Sequence, residues 1–114
     1  MKAMDNQGKV GADEKIREMA RRIAEQFNPE KIILFGSHAR GDAGPDSDVD
    51  LLVVMSGPGS ERERTIGMRM AVRGLGLVKD ICVVTADEVA RFREIPGTII
   101  KPALSEGKVL YERA

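Results

Sequence analysis

The chain has 114 residues, 42% hydrophobic and 32% charged, a composition that fits one folded domain and excludes a disordered or fibrous segment. Eighteen basic residues balance eighteen acidic ones, so bulk charge gives no general grip on nucleic acid or on an anionic membrane. The longest apolar run, Leu51 to Met55, falls far short of the ~20 residues of a membrane span, and the single cysteine and single histidine exclude an internal disulfide and Cys-rich or His-rich metal sites.

Residues 1–11 read as a polar, flexible tail without the apolar core of a signal peptide, and 12–114 as one domain. A cytoplasmic setting is the expectation. Ile16, Met19, Ala20, Ile23, Ala24 and Phe27 recur at helical spacing. They predict a helix with Asp13 as N-cap, stopped by Asn28-Pro29. Lys31 to Phe35 reads as a buried strand ending at Gly36, where a short helical turn begins. A polar segment to Ser47 follows, then a strand from Asp48 to Met55. That strand is apolar on both faces after Asp50, the pattern of a central strand. Glu61 to Leu75 is expected to be helical, with Met68, Ala71, Val72 and Leu75 as its apolar stripe. Val78 to Val84 forms a third strand. Thr85-Ala86-Asp87-Glu88 is a capping box that starts another helix. Pro96-Gly97 interrupts, Thr98 to Glu106 is helical despite Pro102, and Lys108 to Glu112 closes the chain as a last strand. The sum is a single α/β domain with a small sheet.

The chemistry concentrates in Phe35-Gly36-Ser37-His38-Ala39-Arg40-Gly41 and Asp46-Ser47-Asp48-Val49-Asp50. Asp48 and Asp50 are two apart at the opening of a strand, so they share a face with Cα atoms about 6.5–7 Å apart. Charges beside a Leu-Leu-Val-Val run need compensation, and a divalent cation supplies it. Asp80 repeats the pattern in the third strand. If that strand neighbours the second, three carboxylates converge, a set suited to two metal ions and in-line nucleotidyl transfer. Gly36 permits close backbone approach, Ser37 and the following N–H groups suit phosphate oxygens, and Arg40 adds a positive charge for a triphosphate. A calcium loop starting at Asp46 fails, because Leu51 stands at its glycine position and Gly57 at its glutamate position.

Gly-Ser, ten residues, then Asp-x-Asp opening an apolar strand resembles the signature of the DNA polymerase beta-like nucleotidyltransferases. The flanking Phe-Gly-Ser-His-Ala-Arg-Gly and Ser-Asp-Val-Asp-Leu-Leu-Val resemble its minimal nucleotidyltransferases, over about residues 13–112. The resemblance implies a mixed β-sheet palm with helices packed on it. It also implies two Mg²⁺ ions on Asp48, Asp50 and Asp80, ATP as substrate, and nucleotide phosphates on Gly36 and Ser37. Family members pair with a helical HEPN protein, encoded by an adjacent gene, as antitoxin and toxin, and transfer AMP to a tyrosine of the toxin. A chain of this size leaves little room for an acceptor domain, which agrees with an acceptor carried by another protein.

Other readings stand beside these. The chain as a non-catalytic antitoxin would neutralise such a partner by covering it, and a transferase acting on a small molecule or an RNA end is a third possibility. Asp80 and Arg40 have surface ion pairs as their alternative. His38 reads as a solvent-facing turn residue or as a contact to phosphate or base. Cys82, on the same strand face as Asp80, reads as a structural thiol. The arginines at 62–73 form a solvated face or an interface for an acidic partner. Homo- or hetero-oligomerisation is open.

Overall fold

The computed structural model describes residues 11–44, 47–57, 59–76 and 79–113. The tail read at 1–11 lies outside these apart from Gly11, as do Asp46 and Val78. In chain order the elements are α1 (Ala12–Phe27), β1 (Lys31–Phe35), α2 (Ser37–Arg40), β2 (Val49–Val54), α3 (Glu61–Ala71), β3 (Lys79–Val84), α4 (Ala86–Phe92), α5 (Ile100–Glu106) and β4 (Lys108–Glu112).

The sheet order is β3-β2-β1-β4. β1 runs antiparallel to both β2 and β4, while β2 and β3 are parallel, joined through α3. The sheet is therefore mixed, and β2 is internal as its two-sided apolarity requires. One face of the sheet, Ile32, Leu34, Leu51, Val53, Ile81 and Val83, is covered by Ile16, Met19, Ala20 and Ile23 of α1 and by Met68 and Val72 at α3. The other face, Ile33, Phe35, Leu52, Val54 and Val84, is covered by Ile100 and Ala103 of α5, with Val89 and Phe92 of α4 at its margin. Asp50, Asp80 and Cys82 fall on this second face by strand alternation, while β2 starts at Val49 and leaves Asp48, expected to open the strand, one residue before it. Asp48 and Asp80 are exposed and Asp50 is half-buried, so the short helices leave that end of the sheet open.

Local chemistry explains most element ends. Asn28 takes the left-handed conformation (φ 47°) and its N–H donates to Ala24 O, closing α1 ahead of Pro29. At the other end, Asp13 is not the cap: α1 begins at Ala12 with Gly11 as N-cap and no side-chain bond. Asp13 instead sits in the first turn, where a carboxylate favours the helix dipole. α3 stops at Ala71, short of Leu75, and the following chain passes through positive φ at Gly74 and Gly76. The capping box at Thr85 and Glu88 forms as read, with a matching one at Ser60 and Glu63. α5 starts at Ile100, two residues later than Thr98. The Thr98 hydroxyl accepts from Lys101 N and donates to Ile95 O, so it belongs to the turn. Pro102 is tolerated because it lies in the first turn, where N–H groups have no intrahelical acceptor.

Candidate active site

The site is built where β1 ends and β2 and β3 begin. Phe35 lies opposite Asp50 in the β1–β2 ladder, and Asp50 lies opposite Asp80 in the β2–β3 ladder. Strand pairing thus fixes two carboxylates on adjacent strands, and Asp48, one residue before β2, is near enough for its charge to act on Asp50.

Gly36 leaves β1 with φ 77° and ψ −157°, a backbone that favours glycine. A Cβ there would collide with Asp50 Oδ2 and lie 3.2 Å from its Cγ. The glycine therefore allows the turn and leaves room for the carboxylate. Immediately after it, α2 folds into one turn: Ala39 N and Arg40 N donate to Gly36 O, while Gly41 N and Asp42 N donate to Ser37 O. As in any helix, the first N–H groups, here of Ser37 and His38, have no acceptor within the turn. Among the described residues the Ser37 hydroxyl has no hydrogen-bond partner.

Burial raises the Asp50 carboxyl above the usual range, and the charges of Asp80 and Asp48 raise it further, while His38 and Arg40 partly offset them. This is an acidic cluster short of positive charge, the condition a bound cation relieves. The donor set, three carboxylates, is the hard-oxygen chemistry that Mg²⁺ takes. As the side chains are oriented, no group of three acidic, histidine or cysteine residues is drawn to ligating spacing among the described residues. Asp80 is turned to Arg69 of α3, Nη2 to Oδ1 3.5 Å, and both groups are more than half exposed. An ion pair that exposed is worth about 0–1 kcal/mol, so it is a weak competitor for the carboxylate. The residues present fit a divalent cation.

Arg40 stands at the rim. Its Nε meets Asp42 and its Nη1 meets Glu106 of α5, both at 3.3 Å. His38 is half-buried, and its Nε2 lies 3.3 Å from Ser47 O, which ties α2 to the segment that leads into Asp48. Cys82 is half-buried on the site face, and its thiol is pushed up by burial and by Glu61, Asp80 and Glu88. Arg69 was not legible as a site neighbour. Helical spacing gave it an outward position on α3, and only the β2–α3–β3 crossover brings it to Asp80. The capping box of α3 was legible as Ser60-x-x-Glu63.

The sequence profile of the family described as "Nucleotidyltransferase domain" matches residues 16–110. Among solved structures, the chain is similar to a candidate nucleotidyltransferase from Sulfolobus solfataricus, at 24% identity and a TM-score of 0.61, over 88% of this chain and 79% of that one. It is also similar to a toxin-antitoxin solved with AMP-PNP, at 17% identity and a TM-score of 0.54, over 87% of this chain and 73% of that one. The toxin-antitoxin MntA–HpeT matches at 18% identity and a TM-score of 0.51, over 90% and 75% of the two chains. These identities speak for the fold. No curated protein matches the chain.

Proposed function

The chain belongs to the nucleotidyltransferase domain family, and on that premise we propose that it transfers AMP from ATP to a hydroxyl of a partner protein. In this reading it is the antitoxin of a pair whose toxin is a HEPN-type helical protein. The observation that carries the chemistry is the packing of the Asp50 carboxylate against Gly36, with Asp80 opposite it in the next strand. The similarity to toxin-antitoxin structures, one of them with AMP-PNP, supports the choice of partner and nucleotide.

Asp48 and Asp50 would hold both of two Mg²⁺ ions, and Asp80 would complete the set on the acceptor side. When bound, the ions supply positive charge to the phosphate oxygens and make the acceptor hydroxyl easier to ionise. Gly36, the Ser37 hydroxyl and the first N–H groups of α2 hold the β and γ phosphates. Arg40 joins them by leaving Asp42 and Glu106, two exposed pairs that are weakly held. The acceptor oxygen attacks the α-phosphorus, the bond to the bridging oxygen of the β-phosphate breaks, and pyrophosphate leaves. Asp80, exposed on the acceptor side, receives the acceptor proton.

The test is incubation with ATP, Mg²⁺ and the product of the adjacent gene, followed by intact-mass spectrometry of both proteins. An AMP adduct on the partner, absent with Asp48→Asn or Asp50→Asn, is the expected result. Tight complex formation with no adduct would replace transfer with neutralisation by binding. An adduct on a small molecule or an RNA end instead of on protein would remove the partner from the account.

A further inference from the structure

The outward side of α3 is not an ordinary solvated face. Arg62, Ile66, Arg69 and Met70 fall at i, i+4, i+7 and i+8, which at roughly 100° per residue is one stripe, opposite the buried Met68, and the exposed Arg73 follows in the turn just past the helix. Ile66 is 49% exposed and Met70 53%, and they are the only strongly exposed large apolar side chains within helices among the described residues. Neither Arg62 nor Arg73 makes an ion pair there among the described residues. Glu63, in the first turn of α3, is occupied in the capping box with Ser60. A chain with no net charge thus gathers three arginines around an exposed apolar pair. Arg69 also links the stripe to the site, since it reaches Asp80 at the acceptor side of the carboxylate cluster.

We infer that this stripe of α3 is the surface on which the acceptor protein docks, through an acidic surface whose carboxylates flank an apolar patch. The inference rests on the transfer reading, because it takes Asp80 as the side from which the acceptor hydroxyl enters. Charge complementarity selects the partner's sign, and Ile66 with Met70 gives the dry centre that protein interfaces share. A nucleic acid fits less well, because an apolar pair sits between the arginines and α3 carries no aromatic ring for base stacking.

The experiment titrates the product of the adjacent gene onto wild type, Arg62→Glu/Arg73→Glu and Ile66→Ser/Met70→Ser by calorimetry, with ATP–Mg²⁺ binding measured in parallel. All four positions are exposed and outside the proposed nucleotide and metal set, so unchanged ATP–Mg²⁺ binding reports an intact fold. Each double variant is expected to bind the partner at least tenfold more weakly. Salt sensitivity is expected to drop in the charge reversal alone, between about 50 mM and about 500 mM. Variants that bind the partner like wild type overturn the inference, as does a wild type that does not bind it. Tight binding of a single-stranded RNA, or self-association by sedimentation, that the same variants abolish without an effect on the partner also overturns it. An adduct that forms equally on all variants removes the docking surface but leaves the transfer reading. Partner binding lost in the variants, with no adduct even from wild type, keeps the surface and removes transfer.

Discussion

Asp50 bears a conflict between folding and function. Its carboxyl sits above the usual range because of burial and two acidic neighbours, so the native state holds its proton more tightly than the unfolded chain does. Stability therefore falls as pH rises through and above the ordinary carboxylate value of ~4. In chelator, Asp50→Asn is expected to melt higher than wild type, with the gap widening as pH rises through that range. Mg²⁺ should raise the wild-type midpoint and leave the variant where it is. The same variant should lose more than about 100-fold in transfer rate. Calorimetric scans at several pH values with and without Mg²⁺ check the stability half, and a variant that melts below wild type at neutral pH counts against it. Gly36 has the opposite profile. A Gly36→Ala side chain would enter the space of the Asp50 carboxylate and force a positive φ on a non-glycine residue. A loss of about 1–3 kcal/mol in urea unfolding is expected, together with a loss of activity. The meeting of Gly36 with Asp50 was legible because Gly36, Ser37, Asp48 and Asp50 belong to one local strand-turn-strand unit. The partners of Arg40 and Arg69 were not. Glu106 is distant in sequence from Arg40, and Asp80 meets Arg69 only through the crossover.

At the scale of elements, β1 and β4 have the bounds their sequences predict, since each short run is bracketed by a glycine or a helix stop. The first and last helices were less legible at their starts. Asp13 has the chemistry of a cap, yet Gly11 takes the position, because α1 extends two residues earlier. The capping boxes are the firmest local signals. Thr85 accepts from Glu88 N at 3.0 Å and Glu88 accepts from Thr85 N at 2.9 Å, which starts α4 directly after β3. Thr85→Ala should lower stability by about 1 kcal/mol, and Ser60→Ala in α3 by a similar amount, both read by denaturant midpoint. The turn from α5 into β4 is tighter. A Cβ on Gly107 would clash with Ala103 O and an Ile33 methyl, and would lie 3.0 Å from Leu34 O. Its φ of −77° suits any residue, so the effect of Gly107→Ala is steric alone. A loss of about 1–3 kcal/mol is expected. A neutral result would show that α5 shifts freely over the sheet.

Across the whole molecule, one sheet does two jobs. The α1 side is closed and apolar. The opposite side is covered by short helices and ends in carboxylates. That division places the polar chemistry on the open end without breaking the core, and among the described residues no charged or polar side chain is buried. No described helix is long and apolar enough to cross a membrane. The balanced charge of the chain, which excluded bulk attraction to nucleic acid, conceals a local division: acids at the strand ends and arginines along α3. The central claim is transfer of the α-phosphoryl group with its nucleoside at the Asp48–Asp50–Asp80 site. It is tested most directly by supplying ATP labelled at the α- or at the γ-phosphate, with Mg²⁺ and the partner protein. The account expects α-label on the partner, γ-label released only in pyrophosphate, and neither event with Asp50→Asn. Transfer of the γ-label to the partner, or α-label transfer that survives Asp50→Asn, would contradict it.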